Sequence, residues 1–416
     1  MVDSFTVLEG GLPMPFKETC RMEERVGMLS DFDSGAFSVS ALCRRYGISR
    51  DTFYLWHDRR AGGHADWFMD RSHAVHECPH RTTAELEARI IATRKRFRHF
   101  GPKKIRAWLM EHDPHIVWPA ASTMGDILKR AGLVTARSRQ RRQIEQGRVV
   151  CDASEANEEW SVDFKGWFLT GNGTRCDPLT IADSHTRYQL DTRISDQKIS
   201  SVKRVFTRLF YQYGLPQSLR CDNGSPFGSH GAGGLTRLSA WWLRLGVDVR
   251  FITPASPQEN GRHERFHRTL NEHTTCPPAQ TLKAQQIAFD RFRHHYNEER
   301  PHEALGQIPP ARLWSPSMRT MPTQLPEPEY DPYYEVRRVR SNGQIKWGGT
   351  KLYVSDALIG QRVALKEIRD GIHIVRFCNV DVGIINRAGK FARFAPVRHK
   401  LRKAKTVEDQ PGPKCR

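Results

Sequence analysis

Apolar and polar positions follow two different periods along the chain, which divide it into three parts. In the first third, apolar residues recur every three or four positions, as in the segment 39–46, which is the period of an α-helix. From about residue 157 several stretches alternate with a period of two, as strands do. Beyond a proline-rich stretch at 316–332, short alternating segments are separated by glycine turns. The pattern predicts helices first, a mixed α/β part next and a small all-β part last.

Capping residues define two successive helices near the N-terminus. Ser38 precedes the first helical period and Gly47 follows it, while Ser49 precedes R-D-T-F-Y-L-W-H-D-R-R. A helix, a short turn and a second helix are typical of a helix-turn-helix domain, with Phe53 and Trp56 facing its core. Four side chains of the second helix are then candidates for contact with a DNA major groove: Arg50, Thr52, Tyr54 and His57. Three-helix bundles with this spacing also occur in proteins that do not bind DNA.

A second set of helical signals lies between residues 82 and 134. Thr82 and Glu85 have the spacing of a capping box, Gly101-Pro102 opens another helix, and Ser122 is the expected cap of a third. We interpret this part as a second unit of the helix-turn-helix kind.

Four potential zinc ligands precede that unit: His73, His76, Cys78 and His80. Structural zinc sites usually pair two ligands with two more about a dozen residues away, and the sequence has no second pair at that distance. We therefore interpret residues 62–81 as a linker. The arginine-rich segment 135–156 is a second linker, either tracking DNA phosphates or acting as a solvated hinge.

Two aspartates lie on predicted strands. Asp163 stands in the middle of W-S-V-D-F-K-G-W-F, where aspartate is disfavoured, and Asp222 ends the strand in L-R-C-D-N-G-S-P-F. Ligands often bind at the carboxyl ends of strands in open α/β sheets. Asp183 also ends a strand, but its neighbours Ser184 and Thr186 favour a turn there, so it ranks lower as a metal ligand.

A glutamate follows on a predicted helix. Three capping signals place the start of that helix near Pro257: Ser256, Pro257 and Glu259. Asn260, Glu264 and Arg268 fall at i, i+4 and i+8, so they form one row that is too polar to face a core. Gly261 inside the helix indicates that another group approaches the helix closely.

These segments together resemble the catalytic core of the retroviral-integrase-like transposases, which carry an Asp, Asp, Glu triad on a ribonuclease-H-like fold. The resemblance is carried by W-S-V-D-F, C-D-N-G, P-x-x-P-Q-x-N-G-x-x-E and, at Tyr296 to Gly306, Y-N-x-x-R-P-H-x-A-L-G. It assigns Asp163, Asp222 and Glu264 as the catalytic triad. The helical segments at the N-terminus are similar to the DNA-binding domains of insertion-sequence transposases.

The sequence departs from the family pattern in two places. Between Asp222 and Glu264 lie 41 residues, somewhat more than in retroviral integrases, and we expect the additional length in the glycine-rich segment 228–234. Many relatives carry a basic residue seven positions after the glutamate, where this chain has Asn271. Arg268 is the expected substitute.

The resemblance implies two-metal-ion chemistry. Two Mg²⁺ ions, replaceable by Mn²⁺, would activate a water or a DNA 3′-hydroxyl and stabilise the leaving oxygen. Asp163 would bind both ions, with Asp222 on one and Glu264 on the other. Three residues near this site are candidates for contact with DNA: Asn223, Asn260 and Arg268.

Composition supports a polyanionic partner. The chain has 416 residues, a formal net charge of +19 and a pI near 9.8, with Lys and Arg spread over its whole length. This distribution favours nucleic acid bound by several modules over a membrane surface. Nine cysteines without a C-x-x-C pair indicate reduced thiols and a cytoplasmic, DNA-associated protein. We found neither the pattern of a signal peptide nor an apolar run of membrane-spanning length.

We predict a multidomain protein with α-helical helix-turn-helix domains, an α/β ribonuclease-H-like core and a small all-β SH3-like C-terminal barrel. The predicted parts are a helix-turn-helix domain (1–61), a linker (62–81), a second such domain (82–134), a basic linker (135–156), the catalytic core (157–315), a proline-rich linker (316–332), the barrel (333–389) and a basic tail (390–416).

The predicted function is that of a DNA transposase which binds double-stranded DNA as a homo-oligomer, pairs two element ends, cleaves their 3′ ends and joins them to target DNA. The alternative is a catalytically inactive DNA-binding regulator derived from such an enzyme. A stand-alone ribonuclease H would not need the N-terminal helices or the C-terminal barrel.

Overall fold

The structure is a computed structural model that describes residues 20–71, 81–134, 153–252 and 261–394. It divides into two compact units, residues 1–81 and residues 82–416.

Three helices form the first unit: α1 (Arg21–Asp33), α2 (Val39–Tyr46) and α3 (Arg50–Ala61). The hydroxyl of Ser38 accepts a hydrogen bond from the backbone N–H of Ala41 at the start of α2, and Gly47 ends that helix with a φ of 63°. The hydroxyl of Ser49 caps α3 in the same way. Phe53 and Trp56 are buried in the small core between the helices. The caps and core positions predicted from the sequence are confirmed.

The segment that follows α3 packs back onto the first helix. The guanidinium of Arg25 donates hydrogen bonds to the carbonyl oxygen of Phe68 at 2.7 Å and to the carboxylate of Asp70 at 2.6 Å. Trp67 packs against the helical core. The first part of the predicted linker 62–81 therefore belongs to this helical unit. The four potential zinc ligands between residues 73 and 80 lie outside the described residues.

Three further helices open the second unit: α4 (Ala84–Arg96), α5 (Pro102–His112) and α6 (Ala121–Arg130). They enclose their own core around Ile90, Phe100 and Ile105. Two predicted caps are wrong by one or two residues. Thr83 caps α4 in place of its neighbour Thr82, because its hydroxyl is the one that meets the backbone N–H of Leu86. The expected cap of α6, Ser122, lies inside the helix, which begins one residue earlier.

Seven strands follow: β1 (Glu159–Phe164), β2 (Phe168–Leu169), β3 (Arg175–Cys176), β4 (Pro178–Asp183), β5 (Gln189–Ile194), β6 (Ser218–Cys221) and β7 (Asp248–Phe251). Five of them form one sheet in the order β5-β4-β1-β6-β7. β1 runs antiparallel to β4 and parallel to β6, which is itself parallel to β7. The T-G-N-G segment at residues 170–173 does not join β1 to another strand of the sheet. It closes the separate two-stranded hairpin of β2 and β3.

Four helices pack on this part of the chain: α7 (Ile199–Tyr213), α8 (Arg237–Arg244), α9 (Gly261–Thr274) and α10 (Leu282–His294), which continues into a π-helical turn (His295–Glu299). The aromatic stripe of Phe289, Phe292 and Tyr296 is buried against Phe266 and Leu270 of α9, so it forms core and not a surface for base stacking. None of the helices formed by the described residues is long and apolar enough to cross a membrane.

The C-terminal part is all-β, with strands β8 (Glu335–Arg338), β9 (Gln344–Trp347), β10 (Thr350–Tyr353), β11 (Arg362–Arg369), β12 (Ile372–Phe377), β13 (Val380–Ile385) and β14 (Phe391–Arg393). An antiparallel sheet has the order β14-β13-β12-β11-β8, and β9 pairs with β10. Its apolar core also contains side chains from the preceding α/β part, among them Leu235 and Leu243. The glycine-rich segment 228–234 also contacts the all-β part, because the N–H of Gly233 donates a hydrogen bond to the carbonyl oxygen of Phe394 at 3.1 Å.

The proline-rich segment 316–332 is bound along its length. The guanidinium of Arg319 donates to the carbonyl oxygens of Pro216 and Gly246, both at 2.6 Å. Further along, the hydroxyl of Tyr330 donates to the carbonyl oxygen of Arg362 at 2.8 Å. The predicted linker therefore fastens the sheet of the α/β part to the all-β part.

Candidate active site

Two acidic residues lie at the carboxyl ends of adjacent parallel strands. β1 and β6 pair in parallel with Ser161 opposite Arg220, and the same offset carried two residues further places Asp163 beside Asp222. Neighbouring strands lie roughly 4.8 Å apart. Cys221, which directly precedes Asp222 on β6, has a buried thiol. Burial raises its pKa well above the usual value, and the negative charges of Asp222 and Asp163 raise it further.

The side chain of Asp222 is half-buried. Oδ1 is buried and accepts no hydrogen bond from any described residue. Burial raises the pKa of this carboxyl group, while a hydrogen bond from the backbone of Gly224 lowers it. A Cβ on Gly224 would lie 3.2 Å from Oδ2, so a side chain there would press on the carboxylate. A buried oxygen that lacks a donor fits a hard divalent cation such as Mg²⁺.

Asn223 fastens the loop beside Asp222. Its side-chain amide donates to the carbonyl oxygen of Ile252, at the end of β7, at 2.6 Å. The backbone of the same residue also touches Gly228, where a Cβ would come within 2.7 Å of the carbonyl oxygen of Asn223. The loop is therefore held by its own contacts, and the predicted contact between Asn223 and DNA stays a prediction.

Two histidines of α9 lie next to Asp163. Thr180 is opposite Asp163 in the antiparallel pair of β1 and β4, and its hydroxyl donates to the carbonyl oxygen of Asp163 at 3.0 Å. The same hydroxyl is 2.8 Å from Nε2 of His267 and 3.4 Å from Nδ1 of His263. Ligand atoms of Asp163, His263 and His267 all lie within 4.8 Å of one another. Burial lowers the pKa of His267 to about 4 and that of His263 well below its usual value, so both rings are neutral at pH 7.

Glu264 lies on the first turn of α9 with its side chain exposed. Among the described residues, it is not part of the group of ligand atoms around Asp163. Arg268, one turn further along, is exposed as well, which agrees with a polar row on this helix. Asn260 and the predicted helix start near Pro257 lie outside the described residues. No described atom of the protein comes within 4 Å of a Cβ placed on Gly261, so the expected close approach is not made by these residues.

The sequence interpretation missed His263 and His267. They are spaced i and i+4 in H-E-R-F-H, which places them on one face of a helix. This i, i+4 spacing of two histidines is a signal that the sequence contains, but it lies in a different row of the helix from Asn260, Glu264 and Arg268. The two rows diverge because His263 is buried against the sheet while Glu264 is exposed.

Asp183 stays outside the site. Its carboxylate accepts hydrogen bonds from the N–H and the hydroxyl of Thr186, both at 2.7 Å, and from the N–H of Asn157 at 2.7 Å. These contacts make it the turn residue that its neighbours indicated.

The four predicted groove-contacting side chains lie on α3 in the first unit. Tyr54 is half exposed, and Arg50 is exposed with a hydrogen bond of 2.6 Å to the hydroxyl of Ser40. Thr52 shares a hydrogen bond of 2.9 Å with the hydroxyl of Ser49. His57 is half-buried, 3.3 Å from a carboxylate oxygen of Asp58. Of the four, Arg50 and Tyr54 are the more accessible.

Comparison with known proteins places the chain among mobile-element proteins. Residues 153–257 and 245–310 match two families described as integrase core domain, and residues 334–392 match the IS481 family transposase C-terminal domain. A 31.7 kDa protein of insertion element IS407 from Burkholderia multivorans is 30% identical over 237 residues, which are 55% of this chain and 80% of that protein. A 39.2 kDa protein of IS476 from Xanthomonas euvesicatoria is 29% identical over 65% of this chain and 70% of its own length.

Two solved structures are also similar to part of the chain. The catalytic core of BIV integrase is 19% identical with a TM-score of 0.30, covering 38% of this chain and 93% of that core. The HTLV-2 integrase catalytic core, solved with magnesium, is 12% identical with a TM-score of 0.30, covering 38% of this chain and 97% of that core.

Proposed function

Because this chain belongs to the insertion-sequence transposases with an integrase core domain, we propose that it binds the ends of its element and catalyses metal-dependent 3′-end cleavage and strand transfer into target DNA. The observation that carries the proposal is the placement of Asp163 and Asp222 at the carboxyl ends of adjacent parallel strands, with Oδ1 of Asp222 buried and without a partner among the described residues. A cation there would offset the cost of burying this carboxylate, which the hydrogen bond from the backbone of Gly224 offsets only in part.

Asp163, Asp222 and Glu264 are the residues that would hold two Mg²⁺ ions, or Mn²⁺ in their place. When bound, the ions activate the attacking oxygen and stabilise the leaving oxygen of a phosphodiester. The chain's own residues position that reaction. Thr180 holds the backbone of Asp163, and Asn223 ties the loop after Asp222 to β7. Glu264 is exposed on α9, so its carboxylate is accessible to DNA and to metal ions.

The proposed DNA contacts lie on the core and on α3. The proposed contacts in the core are Asn223, Asn260 and Arg268, and those on α3 are Arg50, Thr52, Tyr54 and His57. The net charge of +19 supports contact with phosphates over a long path. We propose that the protein acts as a homo-oligomer, because joining two element ends to one target requires two active sites in one complex.

The test uses the DNA that flanks the gene as an end-labelled duplex, with Mg²⁺ or Mn²⁺. Wild type is expected to nick the 3′ end at the element boundary and to join it to a second duplex. Asp222→Asn and Glu264→Gln should bind the same DNA but reduce nicking by at least a hundredfold. Asp370→Asn, which removes an exposed acid in the all-β part, is the matched control and should nick like wild type.

Specific binding of the duplex without nicking in either metal would contradict the proposal, provided that a related transposase is active in the same buffer. That result would support the inactive DNA-binding regulator.

A further inference from the structure

We propose that Asp163, His263 and His267 form a second cation site, which takes a first-row transition metal such as Zn²⁺ or Co²⁺. The site would be distinct from the one between Asp163 and Asp222, although the two share Asp163. Binding of the transition metal does not depend on the proposed function. Its consequence, competition with Mg²⁺ for Asp163, does rest on that function.

The three side chains already stand close to the spacing of metal ligands. Their ligand atoms lie within 4.8 Å of one another. Bonds from Zn²⁺ to nitrogen and oxygen are about 2.0–2.2 Å long, so two ligands of one ion are at most about 4.4 Å apart. Rotamer adjustments of a few tenths of an ångström would therefore complete the site. His263 and His267 project from one face of α9, and Asp163 lies on β1, so all three are carried by regular elements.

The hydrogen bonds of Thr180 leave one nitrogen of each ring for an ion. The hydroxyl of Thr180 has one proton, which it donates to the carbonyl oxygen of Asp163. It can then only accept from Nε2 of His267 and, more weakly, from Nδ1 of His263. Each ring consequently keeps one nitrogen that Thr180 does not contact, Nδ1 in His267 and Nε2 in His263. Nε2 of His263 is buried and has no hydrogen-bond partner among the described residues.

The chemistry of these ligands selects the metal. Imidazole nitrogens suit Zn²⁺, Co²⁺ and Ni²⁺, whereas Mg²⁺ prefers sites made of oxygen ligands. The positive charges of Lys165 and Arg220 act on the two histidines and oppose a cation, so affinity must come from the ligand bonds and the carboxylate of Asp163.

The experiment is a Co²⁺ titration followed by visible absorption, which reports nitrogen ligation without any catalytic assay. Segment 73–80 contains other potential ligands, so every protein in the titration, including the one called wild type, also carries His73→Asn, His76→Asn, Cys78→Ser and His80→Asn. Wild type is expected to show a saturable absorption band that Zn²⁺ abolishes. His267→Ala should weaken Co²⁺ binding by at least tenfold, with the fold verified by circular dichroism. Thr180→Val should weaken it by roughly tenfold, since it removes the partner that orients the rings.

Asp222→Asn is the matched control, because it keeps all three proposed ligands but removes the carboxylate of the Mg²⁺ site. It should bind Co²⁺ as wild type does. Equal Co²⁺ affinity of wild type and His267→Ala would overturn the inference. Saturable Co²⁺ binding by a wild-type protein that never cleaves DNA would overturn the proposed function and leave the transition-metal site in place.

Discussion

The side-chain amide of Asn223 lies 2.6 Å from the carbonyl oxygen of Ile252, and this hydrogen bond joins the loop after Asp222 to the end of β7. Asn223→Ala removes a bond worth about 1 kcal/mol and loosens the loop that carries a proposed metal ligand. We expect single-turnover nicking to slow by roughly tenfold, with the affinity for DNA unchanged. Fluorescence anisotropy measures the affinity. A loss of affinity equal to the loss of rate would instead indicate direct contact between Asn223 and DNA.

The buried carboxylate of Asp222 should reduce stability in the absence of metal. Asp222→Asn removes the charge whose burial raises the pKa of this group, so we expect the thermal midpoint in EDTA to rise by roughly 2–4 °C. Mg²⁺ should stabilise wild type and not the variant, since a ligand stabilises only the protein that binds it. Differential scanning fluorimetry with and without Mg²⁺ makes the comparison. An equal Mg²⁺ response in both proteins would argue against a cation on Asp222.

A buried ion pair supports the sheet behind the site. Glu159 is 2% exposed, 3.2 Å from Nε of Arg220 and 3.5 Å from Nη1 of Arg250. Glu159→Ala leaves the buried guanidinium of Arg220 without this carboxylate, and loss of one partner of a buried pair typically costs about 3–5 kcal/mol. Urea unfolding should show a clearly lower midpoint. Glu155→Ala, at an exposed acid nearby, is the control and should unfold like wild type.

Two histidines, the buried His302 and the half-buried His273, should make the fold sensitive to acid. Burial lowers the pKa of His302 to about 2 and that of His273 to about 3. The unfolded chain, in which histidine titrates near pH 6.5, therefore binds more protons than the folded one below that pH. Their contribution to stability is complete above pH 6.5 and is lost progressively as the pH falls towards the folded values. Thermal midpoints measured from pH 8 to pH 5 should decline on the acid side.

The quantity to compare between proteins is the slope of the thermal midpoint against pH, not the midpoint at any one pH. His302→Gln removes one buried imidazole and should flatten the decline, even if it lowers stability at every pH. His185→Gln, at an exposed histidine, should leave the slope unchanged. Identical slopes in wild type and His302→Gln would show that protonation of His302 does not drive acid unfolding.

Local sequence rules predicted which helices this protein forms better than they predicted the residues at which those helices begin. Ser38, Gly47 and Ser49 were identified correctly because a cap depends on a few adjacent backbone groups. The prediction that Thr82 caps α4 was wrong, because Thr83 beside it carries the same hydroxyl and is the residue that caps the helix. The sequence pattern alone does not distinguish two adjacent threonines.

Features that depend on distant parts of the chain were harder to predict. The family resemblance assigned Asp163 and Asp222 to one site, whereas the local patterns placed each of them only on a strand. The position of His267 beside Thr180 depends on how α9 rotates against β4, which the periodicity of the helix alone does not determine. In the same way, proline content identified segment 316–332 as irregular but could not show that Arg319 fastens it to the core.

The apolar contact between the α/β part and the all-β part affects how these pieces could be exchanged between relatives. Leu235 and Leu243 precede the all-β part by about a hundred residues in sequence, yet they belong to its core. A chimaera joined at the proline-rich segment would pair this all-β part with foreign side chains at those positions. We expect such hybrids to aggregate unless residues 232–243 are transplanted together with the C-terminal part, so recombination between relatives should preserve the two segments as a pair.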